Sequence, residues 1–479
     1  MTTTEDERAG VSAGRAHHWP RWLAMVPVLL ALAGSLAYWP GLVTWDSLRQ
    51  YDQALSGAFD DWHPPLMGWI WRQALPLSHS PAPMLLLQLG LYAIGLGLLV
   101  IPLLRAGRGG RALAIGLCSL QPIMIALMAT IVKDSLMTGA LLCAAGTILL
   151  AERREAAGKG AWPARTVAVI LCVFASALRF NAFLATLPLA LWALPRGWRD
   201  GPVRCLVSAA LLLPVLLGAM PVANRIIGAE SSDVTLSIII FDLGGITEYS
   251  GENQFPPLGV KDPVAVSHRC YTPVKWDSYS WWVDEICPIN FTAMQRYVHS
   301  HPVSPVQLWL TAIARHPLAY LAHRFHHWNI NARFLVKDEV ERPVQVEAPP
   351  NDWHFDITRN PVVRLVDLGA RASSHTPLGW PVVWMAALVA LLWSRRGLWR
   401  FDGVTMLATS ALLYGLGYGV FSVASELRYY LWTYCAGSIA LVMAWADGGA
   451  HSERQRRLIR ALLLIAGPAA VMAAATRFL

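Results

Sequence analysis

The sequence has few charged residues. Only 15% of its 479 residues are charged, whereas an ordinary soluble domain has about a quarter. Hydrophobic residues make up 55% of the chain and the mean hydropathy is +0.41, an apolar excess too large for one aqueous surface to hide. This composition excludes an intrinsically disordered chain and a series of soluble domains. It predicts an all-α, polytopic membrane protein.

Cysteine is also scarce and shows no metal-binding spacing. Seven cysteines in 479 residues, with no Cys-x-x-Cys pair, exclude a disulfide-stapled miniprotein. Five of them lie in or beside apolar segments, where they are expected to be small core residues. Cys270 and Cys287 lie in one long, more polar segment. An oxidising exterior would let these two form a disulfide, but the sequence leaves the pairing open.

Long apolar runs are abundant. A bilayer core needs about 20 apolar residues per helix, and a scan at that length finds about eleven candidate spans. They lie near residues 22–42, 83–104, 112–131, 134–151, 165–181, 182–195, 203–221, 379–393, 403–421, 428–446 and 458–476. The chain thus divides into an N-terminal transmembrane module (1–221) with a first outer loop (43–82), a long polar segment (222–378) and a C-terminal transmembrane module (379–479).

The long polar segment is expected to form a small α-rich domain. Residues 303–336 have a helical pattern, and any strands should be short pieces such as 234–241. Residues 66–77, in the first outer loop, are amphipathic and rich in Trp, which predicts a helix lying in the membrane interface. Three histidines at helical spacing, His323, His326 and His327, resemble a metal cluster. Interfacial histidines are the favoured interpretation.

A net charge of +8 is compatible with nucleic-acid binding. The position of the basic residues indicates instead that they set the orientation of the chain in the membrane. About 20 of the 39 Lys and Arg residues lie in short segments on one side of the predicted spans, and about five lie in short loops on the other side. This asymmetry places the N-terminus in the cytoplasm and segment 222–378 outside. No basic stripe with interleaved aromatics occurs, so no nucleic-acid partner is expected. The polar tail 1–18 lacks the apolar core of a signal peptide, so the first span should remain as an anchor.

The informative charges lie at the outer ends of the predicted spans. Ionisable side chains at a membrane boundary are costly, so each is a functional candidate. Four outer turns offer a carboxylate, a cation or both, and in a compact bundle they would converge on one cavity. The candidates are Asp46, Asp60, Asp61 and His63; Lys133 and Asp134; Arg179 and Asn181; and Glu426, Arg428 and Tyr429.

Such a cavity suits a lipid phosphate donor and a nucleophile. Arginine and lysine would clamp the phosphate oxygens and stabilise the leaving group, while a carboxylate would take the proton of an acceptor hydroxyl. A divalent metal, Mg²⁺ or Mn²⁺, held by Asp46 and Asp134 is an alternative that the sequence leaves open. No cofactor is otherwise implied.

Each candidate also has a purely structural alternative. The alternatives are a helix cap for Asp46, a local ion pair for Lys133 and Asp134, snorkelling to headgroups for Arg179, a pair with Glu426 for Arg428, loop shaping for His63, and solvation for Asp60 and Asp61.

The order of these motifs along the chain, and their common location on the predicted outer side of the membrane, resemble the GT-C superfamily of integral-membrane glycosyltransferases. The resemblance is to members of the dolichyl-phosphate-mannose mannosyltransferase and aminoarabinose transferase type. The similar features are Asp46 just after the first span, His63-Pro64-Pro65-Leu66 before an interfacial helix, Asp134-Ser135-Leu136, Arg179-Phe180-Asn181, and the late Glu426-Leu427-Arg428-Tyr429. The sequence departs from many relatives at Ser47, where they have a second acidic residue. Asp60 or Asp61 is the candidate to fill that place, and the general base and the metal requirement stay open.

The resemblance implies a fold, an activity and a set of roles. The fold would be a GT-C-like bundle of about 11 transmembrane helices. Asp46 and Asp134 would be catalytic. The substrate-binding residues would be Asp60, Asp61, His63, Lys133, Arg179, Asn181, Glu426, Arg428 and Tyr429. The protein would move a sugar from a polyprenyl-phosphate donor to a glycan or lipid acceptor at the outer face of a bacterial inner membrane.

A secondary transporter or flippase is the main alternative. It predicts ionisable groups near span midpoints and an inverted repeat, whereas almost no charges lie at midspan here. A membrane transferase of acyl or phosphoryl groups and a non-enzymatic assembly protein are further alternatives.

Overall fold

The computed structural model describes residues 21–283, 286–337, 342–396, 401–447 and 452–478. Within these residues the fold is all-helical, and strand-type pairing is limited to two isolated bridges, Leu42 with Thr130 and Asp60 with Glu230. The predicted all-α class is therefore confirmed for the described chain. The polar tail 1–18, with the interpretation placed on it, lies outside the described residues.

The first part of the chain forms eleven of the described helices. They are α1 (Val26–Leu36), α2 (Trp45–Ser56), α3 (Leu66–Ala74), α4 (Ala82–Arg105), α5 (Gly109–Cys118), α6 (Pro122–Ala129), α7 (Lys133–Ala156), α8 (Trp162–Leu178), α9 (Phe183–Ala193), α10 (Arg196–Arg199) and α11 (Pro202–Ile227). Helix α7 lies at the centre, against α4 and α8, and most of its length is buried. Helix α3 begins where the amphipathic pattern at 66–77 predicts it.

The polar segment contributes the next helices. They are α12 (Thr235–Ser250), α13 (Pro263–Cys270), α14 (Phe291–Ser300), α15 (Pro305–Arg315), α16 (Pro317–Asn331) and α17 (Pro361–Ser374). Helices α12 to α16 with their loops, called the α12–α16 unit below, share a hydrophobic cluster of their own around Phe241, Trp276, Tyr279 and Phe291. Cys270 and Cys287 form a disulfide with a Cα–Cα distance of 6.0 Å, which resolves the pairing that the sequence left open.

The expectation of a strand at 234–241 is wrong. Val234 is the N-cap of α12 and residues 235–241 form its first part, although the run Ile238-Ile239-Ile240 has a high strand propensity. Ile239, Ile240 and Phe241 are all buried, because α12 is the central helix of its unit and contacts α13, α14, α15 and α16. Burial on several sides outweighs intrinsic propensity here.

The C-terminal part returns to apolar helices. They are α18 (Pro381–Ser394), α19 (Gly403–Phe421), α20 (Leu431–Asp447), α21 (Glu453–Ala461) and α22 (Gly467–Phe478). A short 3-10 turn, Leu427–Tyr430, precedes α20. Helix α19 packs against α9 and α20, so the two ends of the chain share one core.

By length and composition, five of the described helices can cross a membrane, or six if the bent pair α5–α6 is one span. They are α4, α7, α11, α19 and the continuous stretch Glu453–Phe478. The α5–α6 pair bends by 63° just before Pro122. Several other expected spans are shorter apolar helices, such as Trp162–Leu178 and Phe183–Ala193. The chain is a multi-pass membrane protein, and the count of about eleven spans stays a prediction.

Candidate active site

Asp46 occupies the first turn of α2, where local sequence fixes its place. Thr44 caps the helix in a reciprocal capping box with Ser47. The Ser47 hydroxyl also donates a hydrogen bond to the carbonyl of Ile131, two residues before Lys133. The positive end of the helix dipole favours a carboxylate at this position. Ser47 therefore ties the turn that carries Asp46 to the turn that carries Lys133.

Three basic side chains from different chain segments surround the Asp46 carboxylate. Arg428 Nη1 lies 3.0 Å from Oδ2, His63 Nε2 lies 3.5 Å from Oδ1, and Lys133 Nζ lies 4.0 Å from Oδ2. The Asp46 side chain keeps 23% of its surface exposed. The structure thus brings three of the four outer turns into direct contact around one carboxylate, which a ligand can reach. We call these four residues the Asp46 cluster.

His63 and Lys133 are also bonded to each other. Lys133 Nζ lies 2.8 Å from His63 Nδ1. Because an ammonium group only donates, Nδ1 accepts, and the ring proton sits on Nε2 facing Asp46. Burial and the nearby Lys133 lower the pKa of His63 to about 3. His63 is therefore a neutral donor toward Asp46.

The charges around Asp46 keep it ionised. Burial raises the pKa of Asp46, but the cations Arg428 and Lys133 outweigh burial and lower that pKa below its usual range. Glu426 pairs with Arg428 Nε, yet burial raises the pKa of Glu426. The two carboxylates that share Arg428 are thus driven in opposite directions, a pattern found where acid and base roles are divided.

A second ion pair lies behind this cluster. Arg179 pairs with Asp134 Oδ1, and both side chains are buried. The Arg179 guanidinium lies 4.8 Å from the ring centre of Tyr429, and the Arg428 guanidinium lies 5.8 Å from the same ring. Tyr429 therefore contacts the arginine of each ion pair. The partner of Asp134 is thus Arg179, whereas Lys133 contacts Asp46 and His63. The catalytic role of Asp134 stays a prediction.

Three further predicted residues lie around these groups. Asn181 is fully buried. Asp60 pairs with Arg49 at 2.5 Å, and Asp61 accepts hydrogen bonds from the backbone and hydroxyl of Ser232 at 2.7 and 2.6 Å. The bonds of Asp61 to Ser232 and the bridge of Asp60 with Glu230 join the first outer loop to the residues after α11. Their predicted substrate-binding roles stay predictions.

The residues present do not fit a divalent metal at Asp46 and Asp134. Cationic side chains lie against oxygens of both carboxylates, and among the described residues no three His, Cys, Asp or Glu side chains are grouped as metal ligands. A Mg²⁺ or Mn²⁺ ion needs several free oxygen ligands.

Sequence reasoning missed the aromatic support of the site. Tyr418 stacks on Tyr429 with ring centres 4.9 Å apart and 3° between planes, and its ring centre lies 5.6 Å from the guanidinium of Arg179. Its hydroxyl bonds that of Tyr414 at 2.7 Å. Tyr414 and Tyr418 lie inside the apolar run of α19, and their one-turn spacing near its C-terminal end was the available signal.

The fold and the site define a multi-pass, all-helical membrane protein with a charged cluster at the ends of its helices. No family model matches the chain, and no curated protein matches it. Among solved structures it is similar to the crystal structure of the Archaeoglobus fulgidus oligosaccharyltransferase tethered with an acceptor peptide containing the NVT sequon. The TM-score is 0.35 and the identity 11%, over 95% of this chain and 55% of that chain. This chain thus spans about half the length of that protein. So low a TM-score carries no inference about fold or function, and the evidence for function is the geometry of the site.

Proposed function

We propose that this protein is an integral-membrane glycosyltransferase of the GT-C type, which moves a sugar from a polyprenyl-phosphate donor to a glycan or lipid acceptor. The observation that carries the proposal is the Asp46 cluster. One accessible carboxylate faces Arg428, Lys133 and His63, at the ends of apolar helices. This arrangement offers both a proton acceptor and cations for a phosphate beside a membrane.

The basic residues suit the phosphate of the donor. The Arg428 guanidinium can bind two phosphate oxygens at once, and Lys133 adds a compact positive charge. Negative charge grows on the phosphate oxygen as its bond to the sugar breaks. Fixed cations stabilise this charge most in the transition state, which is the condition for faster reaction.

Asp46 acts as the general base. The acceptor oxygen attacks the anomeric carbon and forms the new glycosidic bond, while the bond from that carbon to the phosphate oxygen breaks. The electron pair stays with polyprenyl phosphate, and the acceptor proton goes to Asp46. Attack opposite the leaving phosphate inverts the anomeric configuration.

Donor binding makes Asp46 a better base. In the free protein Arg428 and Lys133 lower the pKa of Asp46, so it is a weak proton acceptor. A bound phosphate competes for Arg428 and Lys133 and adds negative charge nearby, and both effects raise the pKa of Asp46. The base therefore strengthens only when the donor is in place.

The proposed setting is the inner membrane of a bacterium, with the site and segment 222–378 on the extracytoplasmic side. The positive-inside pattern supports this orientation. The Cys270–Cys287 disulfide lies in that segment, and disulfides persist in oxidising compartments. Two independent features thus favour the same side.

The test is transfer by purified, reconstituted protein with Asp46→Asn. A polyprenyl-phosphate sugar is the donor, and envelope lipids and glycans are the acceptors. The variant should lose transfer by about 10²- to 10⁴-fold, the usual contribution of a general base. Asp52→Asn is the matched control, because Asp52 lies on the same helix α2 with an exposed side chain. It should transfer normally.

Two outcomes would contradict the proposal. Normal transfer by Asp46→Asn would remove Asp46 as the base. Movement of a lipid-linked sugar across vesicles without any glycosidic bond, and insensitive to Asp46→Asn, would favour a flippase instead.

A further inference from the structure

The segment 422–426 joins α19 to the turn that carries Arg428. It has no regular secondary structure up to Glu426, and Ser422 and Ser425 are buried. A connection of this kind has no helical ladder to hold it, so its position depends on bonds to other elements. Those bonds therefore decide where Glu426 and Arg428 stand relative to Asp46.

Four hydrogen bonds join this segment to other elements among the described residues, and all four reach the α12–α16 unit. Arg324 Nη1 donates to the Ser422 carbonyl at 2.7 Å, Asn331 Nδ2 to the Ser422 hydroxyl at 3.1 Å, the Trp276 backbone nitrogen to the Val423 carbonyl at 2.9 Å, and the Ser425 hydroxyl to the Val274 carbonyl at 2.8 Å. The residues that present Arg428 are thus fastened to a different part of the chain.

Arg324 is the one charged donor among these bonds, and it is itself anchored. Its Nη2 lies 2.6 Å from Asp242 Oδ1. Asp242 is fully buried, and it also accepts from His323 Nε2 at 2.9 Å and from Trp309 Nε1 at 2.8 Å. The guanidinium therefore spans from a fixed carboxylate in α12 to the backbone at the start of the segment.

We propose that Arg324 is a positioning residue for the Asp46 cluster. It links the core of the α12–α16 unit to the 422–426 segment and so sets the place of Arg428 and Glu426 at Asp46. The inference rests on the proposed function for its effect on rate, but not for its effect on structure. It follows that whatever displaces α16 also displaces the phosphate-binding arginine.

The test uses Arg324→Lys in the full chain. Lysine keeps a positive charge for Asp242, but its compact ammonium group cannot span both the carboxylate and the Ser422 carbonyl as the planar fork does. The matched control is Arg165→Lys. Arg165 is equally buried, pairs with Glu155 at 2.7 Å and donates to the Leu194 carbonyl at 2.8 Å. It lies about 20 Å along α8 from Arg179 by helical rise.

Hydrogen–deuterium exchange of residues 422–430 is the first measurement. Loss of a hydrogen bond from a charged donor should speed exchange of this segment by about tenfold in Arg324→Lys, with no change in Arg165→Lys. Equal exchange in both variants would overturn the proposal. Ser425→Ala removes only one neutral bond from the same segment to the α12–α16 unit and should speed exchange by a smaller factor. If Arg324→Lys fails to fold, unchanged exchange in Ser425→Ala would overturn the proposal that bonds to this unit hold the segment.

Transfer kinetics are the second measurement. Arg324→Lys should lower kcat by about 100-fold, as a displacement of about 1 Å can do, with the KM for acceptor unchanged. Faster exchange with normal kcat would overturn the positioning role. If the unaltered protein shows no transfer, the proposed function fails, and the exchange result still decides whether Arg324 holds the segment.

Discussion

Two carboxylate clusters in this protein have almost the same chemical composition and very different surroundings. Asp46 and Asp242 each face an arginine and a histidine. Asp242 and His323 have no exposed surface, and the partners of Asp242 lie at 2.6 to 2.9 Å. Asp46 is 23% exposed, and two of its three partners lie at 3.5 and 4.0 Å.

The difference separates a structural cluster from a reactive one. Asp242 has both oxygens bonded to fixed donors, so a ligand would have to break existing bonds to reach it. Asp46 has looser contacts and an open side. Groups meant to change partners during a reaction cannot be saturated in the free protein. Charge and residue type alone do not distinguish the two.

The largest expected difference is in stability. Asp242→Asn leaves Arg324 buried beside a neutral group, which should lower the free energy of unfolding by about 3–5 kcal/mol. Asp46→Asn should change it by about 1 kcal/mol or less, because Asp46 is partly solvated and Arg428 keeps Glu426 as a partner. Thermal unfolding in detergent, together with transfer assays, compares the stability and the activity of the two variants. Similar destabilisation by Asp242→Asn and Asp46→Asn would contradict the division into a structural and a reactive cluster.

The next effect concerns the proposed phosphate clamp. Arg428→Gln should lower kcat by about 10²- to 10³-fold, the loss expected for one fixed donor to a developing charge. The matched Arg395→Gln removes another arginine paired with a carboxylate, Asp402, and should leave kcat unchanged. Equal losses in both variants would show that the Arg428 effect is a folding effect.

A smaller effect is expected at Lys133. It stands 4.0 Å from Asp46 and can rotate toward a phosphate, so Lys133→Met should lower kcat/KM by about tenfold, the value of one charged hydrogen bond. The measurement is kcat/KM for the donor. An unchanged kcat/KM would show that Lys133 does not bind the donor phosphate and only hydrogen-bonds His63.

The smallest expected effect is on pH dependence. Because burial and Lys133 lower the pKa of His63 to about 3, kcat/KM should show no inflection at the usual histidine pKa of about 6.5. Lys133→Met removes a cation that lowers the pKa of both His63 and Asp46, so both pKa values should rise and any acid limb should move to higher pH. An inflection near pH 6.5 that disappears in His63→Gln would contradict this assignment.

Much of the helical architecture could be predicted from local sequence. Apolar runs of sufficient length predicted α4, α7, α11 and α19, because a span needs only enough consecutive apolar residues. Tertiary packing decided otherwise at 234–241, where the buried core of the α12–α16 unit made a helix from a strand-like run. The 112–131 run is divided into α5 and α6 for a local reason, because Gln121 is extended before Pro122 and a residue before proline disfavours the helical conformation.

The sequence by itself determined which charged residues were candidates for a functional role. Asp46, His63, Lys133 and Arg428 stand out because ionisable side chains beside apolar helices are costly wherever the helices pack. Only the tertiary structure decided which charges meet. It paired Asp134 with Arg179 and joined Arg324 to the Arg428 segment across 98 residues. Such pairings depend on distances between segments remote in sequence, which no local pattern records.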